Sequence, residues 1–424
     1  MNKLETTVNK LWNRDFLLLV FGQTISIFGN MILSFALPLY VLDISESATM
    51  YGLVIALPFI SLIATTPIGG IIADRLRKQR IMFWLDAATT LIIVLYIAAS
   101  GLFAMVVPIV IIKLVALNAV QGLYMPAVQA SVPVLVPTEK LAPANAVVGM
   151  VNTFAGMAGM AIAGLLYAEF GLLPILVVSA ICFAITAIMD LLIRIPYKKQ
   201  ASSGGLVQIV KNDLAVSAKF IINEKPILVK CAVLVIFLQF TLLPMVLVGV
   251  PVLITQNLGF GMDLVGISSS IMMAGGLVGG ITAGILGTKL SVRSTSLLLT
   301  IMAIAIIPVG LVFLFATPAF TAYIIITAAI ALAVCVLQML TIQFIAFVQT
   351  IVPTELIGKV MSLLVMLPFV ANALGSFIYG VLFEQLAAMP WVIVFATVVM
   401  SLFVAAYAHK HFGNARPVLT EVTS

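Results

Sequence analysis

Apolar runs of about 20 residues, the length a helix needs to cross the hydrocarbon core of a bilayer, recur from Phe16 to the C-terminal end with short polar breaks between them. In lipid each backbone polar group must find its partner within its own segment, which favours helices. The runs predict spans over 16–41, 51–73, 81–99, 102–124, 144–167 and 173–193. They continue over 231–255, 264–286, 295–316, 319–341, 356–383 and 391–408. Composition agrees: 63% of the residues are hydrophobic and 8% charged, with a mean hydropathy of +1.26, against roughly 25% charged residues in a soluble domain. The pattern is that of an all-α membrane protein with twelve transmembrane helices.

Charge placement tests the span count, because Lys and Arg collect on the cytoplasmic side. With the N-terminus inside, every basic residue except Lys113 falls in a cytoplasmic segment, from Lys3 and Lys10 through the cluster Arg75, Arg77, Lys78 and Arg80 to Lys410 and Arg416. The external segments carry acids: Asp43, Glu46, Glu169, Asp263 and Glu384. Both termini are therefore expected in the cytoplasm, with the first span kept as an anchor in the absence of a cleavable signal pattern. The net charge of +6 follows from this bias and implies no nucleic-acid partner. Cys182, Cys231 and Cys335 stand alone in or beside apolar spans, with no disulfide framework or metal spacing.

An internal repeat divides the chain. Gly69-Gly70-Ile71 at the end of the second span recurs as Gly279-Gly280-Ile281 at the end of the eighth. Val136-Pro137-Thr138-Glu139 recurs as Val352-Pro353-Thr354-Glu355, and Gly159 with Gly164 recurs as Gly375 with Gly380. Matching positions in two halves predict two pseudo-symmetric six-helix bundles, 1–195 and 227–424. The polar connector 196–226 joins them, with an amphipathic surface helix expected over 206–222.

Several motifs resemble the major facilitator superfamily over nearly the whole chain, in particular the branch that contains macrolide-efflux and siderophore-export proteins. Gly70-x-x-x-Asp74-Arg75-x-Arg77-Lys78-Gln79-Arg80 is similar to the signature between helices 2 and 3, with Arg77 where Gly is usual. Phe21-Gly22-Gln23-x-Ile25-Ser26-x-x-Gly29 and the stretch Pro126 to Ala146 are similar to helix 1 and to the loop before helix 5 of that branch. Met160 and Asn118 stand where the family often has Pro and Arg. The resemblance implies that Gly70, Asp74, Arg75 and Arg80 form a conformational latch between the halves. Independently of the family, glycines at 69 and 70 would let another helix approach closely.

Ionisable residues inside the membrane are costly and point to function. Lys113, expected midway along helix 4, could hold an anionic group of a substrate or titrate during coupling; it could also reach a carbonyl or a lipid headgroup. Asp86 is a further coupling candidate, although it and Asp190 also suit structural pairing, Asp190 with Arg194 one turn on. Asn30, Asn118, Gln239 and Gln338 are candidates for the substrate cavity, with Thr241, Thr341 and Gln343 nearby in sequence and aromatic and Met side chains between them. That mixture suits an amphiphile.

No nucleotide-binding loop, catalytic set or cofactor motif is present, so no enzyme activity is expected. The expected function is secondary active export of a small drug-like or siderophore-like amphiphile by alternating access, in exchange for protons. The expected form is a monomer in a bacterial cytoplasmic membrane. The alternatives are an importer or lipid flippase for an anionic amphiphile, and a non-transporting membrane sensor or scaffold.

Overall fold

A computed structural model of the protein describes residues 12–100, 106–137, 140–195, 215–286, 294–353 and 356–412. Among them are twelve helices long and apolar enough to cross a membrane. They are α1 (Arg14–Ser45), α2 (Ala48–Arg75), α3 (Lys78–Ser100), α4 (Val106–Leu135), α5 (Leu141–Phe170) and α6 (Leu172–Leu192). The remainder are α7 (Pro226–Asn257), α8 (Met262–Leu286), α9 (Thr295–Leu314), α10 (Ala319–Ile351), α11 (Ile357–Gln385) and α12 (Pro390–Phe412).

Each predicted span coincides with one of these helices. The largest departures are α4 and α10, which run on well past the predicted ends at Tyr124 and Thr341 to 30 and 33 residues. At 1.5 Å per residue that is about 45 Å or more, longer than the hydrocarbon core of roughly 30 Å. Pro126 and Pro133 lie inside α4 without ending it, as neighbouring groups in a membrane bundle allow. Within the described part of α4, Lys113 lies about two turns after Val106, nearer that residue than Leu135. Of the surface helix expected over 206–222, residues 206–214 lie outside the described residues; residues 215–219 are helical and continue as the π turn Phe220–Glu224.

Two compact units result, Met1–Glu46 with Leu57–Gln208, and Ser47–Ala56 with Ile209–Ser424. In the first, α1 packs on α5 and α6, and α3 packs on α4 and α6. Asn13 joins two helix ends: its Oδ1 accepts from the N–H of Phe16 at 2.8 Å, capping α1, and its Nδ2 donates to the carbonyl of Leu135 at 2.7 Å. In the second unit α7 packs on α11, α8 on α10, and α9 on both α10 and α12.

The repeat is visible in local geometry within each unit. The N–H of Lys140 donates to the Pro137 carbonyl at 2.9 Å, and that of Leu356 donates to the Pro353 carbonyl at 3.0 Å, the same turn before α5 and before α11. Gly159 of α5 lies against Met31 and Phe28 of α1, as Gly375 of α11 lies against Phe240 and Pro244 of α7. Gly69 of α2 meets the backbone of Gly122 and Leu123 in α4, as Gly279 of α8 meets that of Cys335 in α10. The close approach expected of Gly70 is not made: no described atom lies within 4 Å of where its Cβ would be.

Helix α7 is irregular for a reason legible in its prolines. Its regular part ends at Pro244, and the π turns Met245–Gly249 and Leu253–Asn257 flank Val250–Val252. Pro251 has no N–H to offer the carbonyl four residues back. That carbonyl, Leu247, instead accepts from the hydroxyl of buried Tyr51 at 3.2 Å. Tyr51→Phe is expected to leave the carbonyl unsatisfied at a cost of about 1–3 kcal/mol, read as a lower midpoint of thermal unfolding. Pro251→Ala, which restores the N–H, should recover part of that loss in the double variant.

Candidate functional site

Two polar sites are built into the apolar interior of the first unit, and a cavity lies in the second. Lys113 of α4 is 3% exposed. Its Nζ stands 4.0 Å from the ring centroid of Tyr96 on α3 and has no hydrogen-bond partner. A cation held over a ring face in a dry setting gains about 2 kcal/mol or more, but the ring leaves the N–H donors of the ammonium unfilled. Nearby on the acidic end of the unit, Tyr167 donates its hydroxyl to Asp43 Oδ2 at 2.8 Å and meets Tyr40 edge-on at 6.4 Å.

The second polar site lies nearer the basic end, where Arg14, Lys78, Arg80 and Arg194 fall at helix ends. Asp86 of α3 and Asp190 of α6 are each 2% exposed, and they are close enough for their charges to interact. Thr186 of α6 is buried and donates its hydroxyl to the Phe183 carbonyl at 3.0 Å, and Tyr124 of α4 is buried near the acids. Gln23 of α1 donates to the Tyr124 hydroxyl at 2.8 Å, and Ser26 bonds the same hydroxyl. The Oδ2 atoms of both aspartates are buried without a partner.

The pairing expected of Asp190 with Arg194 is not formed. α6 ends at Leu192, so Arg194 lies beyond the helical register and is exposed, and its N–H donates to Asp15 Oδ1 at 3.0 Å. The spacing rule fails here because it presumes that the helix continues.

The cavity of the second unit, about 320 Å³, lies among α7, α10 and α11. Its walls are mostly apolar, with Leu238, Phe344, Phe347 and Phe369 prominent, and Gln239, Thr341 and Gln343 supply polar groups. Gln239 Oε1 is buried and unpartnered. Thus the structure brings together the polar groups of α7 and α10 that the sequence placed on separate helices. Gln338 is not among the lining residues; it is exposed and packs beside Gly280 of α8. Thr241 bonds back to the Phe237 carbonyl at 2.8 Å.

Of the remaining candidates, Asn118 donates to the Leu114 carbonyl of its own helix at 3.0 Å, and Asn30 is half-buried and accepts from Ser34 at 3.5 Å. Arg80 is exposed, and the side chains of Asp74 and Arg75 lie outside the described residues. Tyr96, Tyr124 and Thr186 were missed by sequence reasoning. A weak signal was available for the tyrosines, since a buried hydroxyl needs a partner, but their partners sit on other helices.

Among the described residues no group of three or more His, Cys, Asp or Glu side chains could hold a metal ion. The family model of the Major Facilitator Superfamily matches residues 19–376. Macrolide efflux protein A of Streptococcus pyogenes is 27% identical over 193 residues, 44% of this chain and 46% of that protein, so the match spans less than half of the relative's length. Among solved structures, nucleoside transporter NupG superposes with a TM-score of 0.75 at 13% identity, covering 95% of this chain and all of that one. A D-xylose-proton symporter gives 0.73 at 14% identity, covering 93% and 96%. At such identities these structures share the fold alone.

Proposed function

Because the chain belongs to the Major Facilitator Superfamily, a family of secondary transporters, we propose that it exports a small, largely apolar amphiphile of the macrolide class in exchange for a monovalent cation. The observation that carries the apolar, amphiphilic character of the substrate is the cavity of the second unit, whereas the macrolide class rests on the partial likeness to a macrolide efflux protein. Its volume lies at the lower end of the range for small-molecule sites, roughly 300–1,000 Å³. Its apolar wall is interrupted by a few amide and hydroxyl groups, which can orient a ligand's carbonyls and hydroxyls while hydrophobic burial supplies most of the affinity. A sugar or a di-acid would need many more polar partners, because each buried polar group left unpaired costs about 1–3 kcal/mol. The partial likeness to a macrolide efflux protein supports the same class.

The basic ends of the helices are read as cytoplasmic on the positive-inside rule, which gives the direction of transport its frame. Inside-out vesicles with an acidic lumen are expected to accumulate a radiolabelled macrolide and to release it when a protonophore is added. Gln239→Leu should raise the KM about 2- to 10-fold, the worth of one neutral hydrogen bond, with little change in the maximal rate. Accumulation indifferent to both proton and sodium gradients would remove exchange. No flux of any amphiphile would leave the non-transporting scaffold.

A second use of the fold is favoured by one feature, the ammonium of Lys113 with its unfilled donors. Such a group fits a carboxylate or phosphate on an amphiphile, as a lipid flippase or importer would require. Lys113→Met lowering transport of an anionic amphiphile while sparing an uncharged one would favour that use.

A further inference from the structure

A side-chain amide sealed from water with a donor or acceptor unfilled is costly, and native structures keep few of them. Two stand on neighbouring helices of the second unit. Gln239 of α7 has its Oε1 buried and unpartnered, and Asn372 of α11, 0% exposed, has its Nδ2 in the same condition. The Asn372 Oδ1 accepts from the Ser376 hydroxyl at 3.3 Å, so the amide is held at one end while the donors at the other go unfilled.

Three observations set the two amides together at one end of the cavity. Gln239 lines it. On α11 the lining residues are Met361, Leu364, Pro368 and Phe369. Asn372 follows Phe369 by three positions and Pro368 by four, so it continues the same helix face just past the lining. At this level α7 and α11 also pack closely: a Cβ added to Gly375 would stand 2.7 Å from Pro244 Cγ and 3.1 Å from the Phe240 carbonyl carbon. Asn372 lies one turn before Gly375, and Gln239 one residue before Phe240. The unfilled donor and the unfilled acceptor therefore flank one helix contact, at the end of the cavity away from Cys231 and Met361.

The walls limit what can answer them. No lining residue among the described ones is charged, so a ligand's ammonium or carboxylate would enter without a counter-charge, which is costly. An ammonium would also face the Asn372 donors, and a carboxylate the Gln239 acceptor. A hydroxyl or a carboxamide carries a donor and an acceptor together without charge. It can give its hydrogen to Gln239 Oε1 and accept one from Asn372 Nδ2, while the apolar remainder lies against Leu238, Phe344 and Phe369.

We propose that Asn372 and Gln239 are the specificity-determining pair of this cavity, selecting ligands that bring an uncharged hydroxyl or carboxamide to its end between α7 and α11. This deepens the transport reading above and rests on it for what becomes of the bound ligand. The recognition itself stands on the two amides.

The test measures binding to the full-length protein in lipid nanodiscs by equilibrium dialysis, with empty nanodiscs correcting for partition into lipid. Five tritiated compounds share one diphenylalkyl skeleton and end in a hydroxyl, a carboxamide, an ammonium, a carboxylate or a methyl group. The alcohol and the carboxamide should bind wild-type protein saturably and more tightly than the other three. Asn372→Leu and Gln239→Leu should each weaken those two about 2- to 10-fold, the worth of one neutral hydrogen bond, and leave the methyl compound unchanged. Wild-type protein that binds none of the five saturably, or that ranks any of the other three with the alcohol and the carboxamide, overturns the proposal without recourse to a variant. Unchanged binding of the alcohol and the carboxamide by a well-folded Asn372→Leu protein overturns it equally, and would leave a bound water as the partner of the amides. Because no gradient or flux is involved, the expected ranking without macrolide transport would uphold the pair while removing the exporter, and transport without the ranking would do the reverse.

Discussion

Gly279→Ala is expected to destabilise the protein severely, whereas Gly280→Ala, one residue on, is expected to be tolerated. An added Cβ at 279 would collide with the Cys335 carbonyl oxygen and stand 2.8 Å from its carbon. Both are backbone atoms in the middle of α10, so α8 and α10 would have to separate. At 280 the nearest atoms are the side chains of Ile342 and Gln338 at 3.8 and 4.0 Å, ordinary contact. Overpacking costs about 1–3 kcal/mol and sometimes more. In a membrane it also removes the close backbone approach on which helix association depends. Against this, alanine gains about 1 kcal/mol over glycine in a helix, which should leave Gly280→Ala neutral or slightly more stable. Thermal unfolding of purified variants checks the contrast. Gly69→Ala and Gly70→Ala should divide in the same way in the first unit, since Cβ at 69 would meet the Gly122 carbonyl oxygen at 2.6 Å and Cβ at 70 meets nothing.

Gly52→Val is expected to release the first turns of α2 from α11 within the second unit. Those turns are seated there in three ways. An added Cβ at Gly52 would lie 2.5 Å from the Ser376 carbonyl oxygen and 3.0 Å from Gly380 Cα, so α2 and α11 touch backbone to backbone. The Glu384 carboxylate accepts from the Ser47 hydroxyl and from the N–H of Thr49 at 2.8 Å, a favourable charge at a helix N-terminus. The Tyr51 hydroxyl completes the set on Leu247. Valine at 52 opposes the first contact directly, at about 1–3 kcal/mol, and tenfold in a population corresponds to about 1.4 kcal/mol. A cysteine introduced at Thr49 should then react with a bulky maleimide about tenfold faster or more in the Gly52→Val background. Equal labelling rates would show that the glycine contact does not hold these turns. Glu384→Gln should raise the rate less, because it removes a charge from an exposed cap and leaves the packing intact.

Both predictions rest on glycines, and the glycines show how far the sequence could be taken. It located Gly69-Gly70 and its repeat Gly279-Gly280 and named the first pair as a site of close approach, but could not say which member of a pair makes the contact. Successive residues on a helix point about 100° apart, so only one of two neighbours faces a given partner. The partner's bearing is a tertiary fact.

The number of spans, their rough limits and the segregation of charge were determined by the sequence itself. Each depends on the transfer of single residues between water and hydrocarbon, a property of local composition. The repeat was legible because it is a recurrence of residue types in the chain, which needs no knowledge of tertiary contacts. The tertiary structure alone decided that α4 and α10 continue past their predicted ends, that α6 stops before Arg194 can reach Asp190, and that Lys113 stands over Tyr96. It alone also gathered Gln239, Thr341 and Gln343 on one cavity and Asp86, Asp190 and Tyr124 in one polar site. Such meetings depend on the rotation and depth of helices distant in the chain, which packing settles and hydropathy does not encode.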